Sequence, residues 1–172
     1  MEDNYDLNEL RKKPKRKNSR TKGNTFERQI AKLLNDRFKT TEFSRSPGSG
    51  AFASTHTVPD HLKIYGDLIT PNKFRFCIEC KKGYKHLNLY SLYNHSSDLW
   101  KFIEQSEKDS GKCSRIPLVI FKQDRQPALA IIPQSVAVTE DIKYIEIHNG
   151  KHYRVYLFEE LLKCWDSMWF DL

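Results

Sequence analysis

Long apolar runs are missing from this sequence. None approaches the ~20 residues a bilayer span needs, and the first residues carry charge where a secretion leader would be apolar. A cytoplasmic protein with no membrane partner is therefore expected. Cysteine is scarce too: Cys77, Cys80, Cys113 and Cys164 are too sparse for a secreted disulfide scaffold, so reduced thiols are expected. There is no internal repeat, and 172 residues are enough to bury a core without covalent staples.

Positive charge is concentrated at one end. Residues 1 to 22 hold eight Lys or Arg against four acidic groups, which leaves a net +3 for residues 23 to 172. Arg11, Lys12, Lys13, Lys15, Arg16, Lys17, Arg20 and Lys22 sit in a run with no apolar periodicity. Residues 1–22 therefore read as a disordered basic tail able to lie along phosphates, and 23–172 as the folded domain. A solubilising tail and an import-like signal are the alternatives. If every cation met a phosphate, affinity would fall with salt at a log–log slope of ~0.9 per contact.

Within the domain, NTFERQIAKLLNDRF repeats apolar residues at spacings of three and four, one face of a helix with Asn24 as its cap. EFSRS is a short strand candidate, and SPGSGAFASTHTVPD reads as a flexible loop. KIYGDLIT and KFRFCIECKK flank Pro71-Asn72 and read as an antiparallel hairpin. DLWKFIEQSEKDSG is a helix that should stop at Gly111. RIPLVIFKQ and PALAIIP read as central strands, KYIEIHNGKHYRVYLF as a hairpin turning at Asn149-Gly150, and FEELLKCWDSMWF as a closing helix. The order predicts a single α/β domain with a mixed central β-sheet flanked by helices.

FRFCIECKK poses the chemical question. Cys77 and Cys80 have zinc-like spacing, but on a strand residues three apart face opposite ways and cannot share one metal. Glu79 and Lys81, two apart, share a face with Arg75 and Cys77, whereas Phe74, Phe76, Ile78 and Cys80 form the core side. Alone, Glu79 and Lys81 are equally a solvated ion pair. Asp67, twelve positions before Glu79, is an acid inside an otherwise β-branched and aromatic run, where it has poor propensity. Two carboxylates meeting across adjoining strands repel unless a cation lies between them, and a hard divalent ion, Mg²⁺ with Mn²⁺ as substitute, meets that need.

Asp67, Glu79 and Lys81 in this order resemble the PD-(D/E)xK nuclease superfamily. KGNTFERQIAKLL, FSRSPGSGA, ECKK and GKCSRIPLVIFKQ resemble its archaeal-type and phage Holliday junction resolvase branch over residues 22 to 123. Gly66 stands where that family has Pro, and the literal Pro59-Asp60 makes Asp60 a rival to Asp67. Residues 134–172 lie outside the resemblance, and their Trp165, Met168, Trp169 and Phe170 read either as core cover or as a partner surface.

The resemblance implies a restriction-endonuclease-like fold, an endonuclease for four-way DNA junctions, and Asp67, Glu79 and the Cys80 backbone carbonyl as metal ligands. It adds Glu27, by direct or water-mediated ligation, and Ser49 as a donor to the scissile phosphate. Asn24 to Glu27 also fits a capping box, in which Glu27 merely returns a hydrogen bond. Lys22, Arg45, Lys82 and Lys85 read as phosphate contacts, Gln105 as a support, and His56 and His61 as surface residues. SPGSGA lacks the Gly-Lys-Ser/Thr of a nucleotide loop, so no small-molecule cofactor is expected. Paired nicks on a two-fold junction suit a homodimer, in the host cytoplasm if a phage encodes it. The alternatives are another nuclease of this superfamily, of restriction, repair or transposon type, and a non-catalytic nucleic-acid-binding protein.

Overall fold

The computed structural model of the protein describes residues 19–47, 65–93 and 97–171. The first helix, α1, spans Ser19–Phe38, and two short strands, β1 (Ser44–Arg45) and β2 (Leu68–Ile69), pair antiparallel. The main strands are β3 (Phe76–Lys82), β4 (Ile116–Lys122), β5 (Leu129–Pro133), β6 (Tyr144–His148) and β7 (His152–Leu157). A 3-10 turn at Leu89–Leu92 precedes α2 (Asp98–Lys112), and α3 (Phe158–Leu161) and α4 (Asp166–Trp169) end the chain.

The five strands form one mixed sheet in the order β3-β4-β5-β7-β6, with β3 and β4 parallel and the other pairs antiparallel. A parallel pair requires a crossover connection, and α2 supplies it. The observed layers are those the element order predicts. Among the described residues no helix is long and apolar enough to cross a membrane.

Each face of the sheet is covered. Phe26, Ile30 and Leu34 of α1 pack with Ile78, Leu118, Ile120 and Ile132 and with Phe158 and Trp169. Trp100, Phe102 and Ile103 of α2 pack with Val119, Phe121 and Ile131 on the other face. The side of β3 opposite its core face is thus also buried: Cys77 and Glu79 lie under α2.

Four expectations change. β2 pairs with β1 and forms no ladder with β3. The reason is chemical, since an edge N–H of β3 that a ladder partner would take is given to a side chain, that of Asp67. α1 begins at Ser19, so Asn24 lies inside the helix and caps nothing, and Arg20 and Lys22 are exposed helical residues. α2 runs through Gly111, and the reversal falls on Ser114 at φ 54°, where the Arg115 N–H returns to the Ser110 carbonyl.

The closing helix is split in two. Arg37 donates to the carbonyls of Leu162 (2.7 Å) and Cys164 (2.9 Å), and the Trp165 N–H donates to Glu140 at 2.6 Å, so side chains claim the backbone groups a continuous helix would use. Met168 and Trp169 enter the core, where Trp169 stacks on Phe74, and Trp165 is 73% exposed.

Candidate active site

The site forms at the outer edge of β3. Gly66 takes φ +76°, and a Cβ there would stand 2.7 Å from the Ile78 carbonyl, so only glycine lets the chain come this close to the strand. The Asp67 N–H then donates to the Ile78 carbonyl (2.8 Å), while Asp67 Oδ2 accepts the Cys80 N–H (2.7 Å). The N–H and C=O of one strand residue point to the same side, so the Cys80 carbonyl also faces this edge. Ser46 secures the approach: its N–H donates to the Asp67 carbonyl (2.9 Å) and its hydroxyl to the Gly66 carbonyl (3.1 Å).

Glu79 and Lys81 extend from the α2 side of β3 and form an ion pair. Lys81 Nζ also donates to Gln105 Oε1 of α2 at 3.0 Å and lies 5.3 Å from the centre of the Phe102 ring. Glu27 comes from α1, where Arg45 Nε donates to its Oε2 at 2.5 Å and Arg45 Nη2 to Asn24 Oδ1 at 3.0 Å. This pairing replaces the capping box. It also turns Arg45 towards a carboxylate, where the sequence suggested a phosphate contact.

All three acids are buried: Glu27 is 6% exposed, Asp67 8% and Glu79 3%. Burial, and then the charge of Asp67, push the Glu79 carboxyl up to about 7 against the pull of Lys81. Glu27 is raised in the same way, by burial and Asp67, with Arg45 opposing. Burial works against the Lys81 ammonium, but the Glu79 carboxylate beside it and Asp67 hold its pKa above the ordinary lysine range. Lys81 is therefore a cation at neutral pH.

Three buried carboxylates that repel one another, with a backbone carbonyl at the same edge, are hard oxygen donors suited to a divalent cation. Among the described residues no three His, Cys, Asp or Glu side chains draw close enough to enclose a metal ion. Arg45 and Lys81 provide the counter-charge to Glu27 and Glu79. The donor set therefore fits a hard cation in charge and in chemistry. A zinc knuckle does not fit: Cys77 and Cys80 are free and belong to opposite faces, and burial raises both thiols well above their usual range.

Of the other residues named from sequence, Lys82 lies over the Phe26 ring, Lys85 is exposed in the following loop, and Lys22 reaches Asp124 at 3.9 Å. Ser49, Asp60, His56, His61 and the tail residues Arg11, Lys12, Lys13, Lys15, Arg16 and Lys17 lie outside the described residues. Ser46 and Asn24 escaped sequence reasoning as site residues, because nothing in FSRS or KGNTF signals which distant backbone or side chain each will meet.

Residues 18–168 match the model of a family described as "Phage putative PDDEXK endonuclease". That match takes in the hairpin and most of the C-terminal segment, beyond the stretch 22 to 123. Protein D14 of Escherichia phage T5 is 32% identical over 130 residues, which cover 72% of this chain and 76% of that protein. No solved structure matches the chain. The mixed five-stranded sheet with helices on both faces is the restriction-endonuclease-like fold, and the chain belongs to the phage PDDEXK endonuclease family, within the PD-(D/E)xK nuclease superfamily.

Proposed function

We propose that this protein is a Mg²⁺-dependent, structure-selective DNA endonuclease that resolves four-way junctions by paired symmetric nicks, acting as a homodimer. The observation that carries the nuclease reading is the meeting of Asp67, held on the open edge of β3, with Glu79 and Lys81 of the same strand. The junction specificity is supported by the resemblance of KGNTFERQIAKLL, FSRSPGSGA and ECKK to junction resolvases.

Asp67, Glu79 and the Cys80 carbonyl would hold the cation, and Glu27 would join them directly or through water. Bound there, the ion would neutralise charge on the scissile phosphate and acidify the attacking water. Lys81, kept protonated by Glu79, donates to that water and offsets the charge that builds on the phosphate; it is no proton acceptor. Gln105 fixes the ammonium from α2. Arg45 positions Glu27. Ser49 would donate to the phosphate, and the basic residues that precede α1 would follow the backbone of the DNA arms. Hydrolysis forms one P–O bond from water and breaks one P–O ester bond, and specificity comes from shape and backbone charge, not base edges.

The test is cleavage of a synthetic four-way junction beside its linear duplex, a flap and a single strand, with Mg²⁺, Mn²⁺ or EDTA. Symmetric paired cuts in the junction alone are expected. Preference for another substrate would assign a restriction-, repair- or transposon-type nuclease. Inactivity on every substrate with intact binding would leave a non-catalytic DNA-binding protein.

A further inference from the structure

β3 and β4 run parallel and stay in register as far as Lys82 and Lys122. The loop after β3 and the turn after β4 therefore leave the sheet at the same end, beside Lys81. The Gly83 N–H donates to the Lys122 carbonyl at 2.9 Å. The Gln123 amide donates to the carbonyls of Tyr84 (3.0 Å) and Leu87 (2.7 Å), which pins the β4–β5 turn to the loop after β3. Between them opens a groove of about 590 Å³ lined by Lys85, Gln123, Asp124, Arg125 and Gln126.

The one acid in that lining is already engaged, since Asp124 faces Lys22 of α1. Among the described residues neither Lys85 nor Arg125 is paired with a carboxylate. Arg125 also occupies the left-handed region at φ 65°, where glycine or asparagine would be relaxed and the arginine Cβ is crowded. A strained position that keeps a long cation points to use of the cation. The groove is lined by charged and amide side chains with no aromatic residue among them. Such a lining suits the phosphates of a nucleic-acid backbone.

We propose that the β4–β5 turn is a second DNA-backbone contact, in which Arg125 and Lys85 grip the duplex leading away from the cutting centre. This rests on the nuclease reading and adds to it a surface outside the carboxylate cluster. The two cations stand in the turns that leave β3 and β4, and the Gln123 hydrogen bonds tie those turns together, so the contact holds the duplex beside the site.

The test uses the full chain and a synthetic four-way junction, with binding measured in EDTA over a range of salt concentrations and cleavage measured in parallel with Mg²⁺. Arg125→Asn tolerates the left-handed backbone while removing the charge. It should lower the log–log salt slope by ~0.9, Lys85→Ala by a similar step, and the double variant by about twice that. Arg125→Lys should restore most of the slope, and Lys143→Ala, away from the groove, should leave it unchanged. Cleavage at subsaturating protein should fall in Arg125→Asn in step with binding. An unchanged slope in Arg125→Asn and Lys85→Ala, in a protein that still cuts DNA, overturns the clamp alone. A wild-type chain that neither binds nor cuts DNA overturns the nuclease reading beneath it.

Discussion

The Cys80 backbone N–H donates to the Asp67 carboxylate at 2.7 Å, so a side chain occupies the edge of β3 where another strand would pair. The same bond turns Asp67 towards Glu79 and raises the charge density of a buried cluster. Asp67→Asn keeps an oxygen for that N–H and removes one of the repelling charges. Folding should survive, with a melting temperature equal to or above the wild type. Cleavage should fall by ~10²-fold or more with DNA binding retained. Full cleavage in the folded variant would sink the proposed role of Asp67.

Gly66 is the hinge of that arrangement. Gly66→Ala would place a Cβ 2.7 Å from the Ile78 carbonyl and 3.0 Å from Cys77 Sγ, at a φ of +76°. The left-handed conformation alone costs about 1–2 kcal/mol, and each kcal/mol lowers the melting temperature of a chain this size by roughly 2–4 °C. Cleavage should fall with stability, because Asp67 is displaced from the strand edge. Thermal unfolding with a parallel cleavage assay checks both, and an unchanged melting temperature would refute the close-approach explanation.

Stability should depend on pH through Glu79. Its carboxyl is raised from 4.5 to about 7, first by burial and then by Asp67. Between those values the folded protein holds a proton that the unfolded chain has released, so stability falls as pH rises from about 4.5 to 7 and levels off above. Melting in EDTA across pH 5 to 8 should trace that fall, and Glu79→Gln should remove its share of the slope. Added Mg²⁺ should raise the melting temperature more at pH 8 than at pH 5, because the ionised carboxylates are the ligands.

Arg45 should matter to stability through Glu27. Arg45→Ala strands a carboxylate that is 6% exposed, at a cost on the order of 3–5 kcal/mol. Adding Glu27→Gln should recover much of that loss, and a double-mutant cycle in denaturant measures the coupling. Additive losses would mean that the two residues act independently.

Local pattern was sufficient wherever neighbours in the chain decide the outcome. The continuous apolar runs in RIPLVIFKQ and PALAIIP, the Asn149-Gly150 turn and the three-and-four spacing of α1 and α2 depend only on residues a few positions apart. The same period of two puts Glu79 and Lys81 on one side of β3 and Ile78 and Cys80 on the other, as the ion pair and the core cluster reflect. Partner choice is a different matter. That β2 joins β1 and offers β3 a carboxylate, that α2 buries the second face of β3, and that Arg45 takes Glu27 all depend on segments brought together over long separations. Burial then raises the cost of any unpaired charge or backbone group, and that cost selects the arrangement. Residue types and parity follow from the chain, whereas the burial of Glu27, Asp67 and Glu79 beside β3 follows from packing segments that lie far apart in sequence.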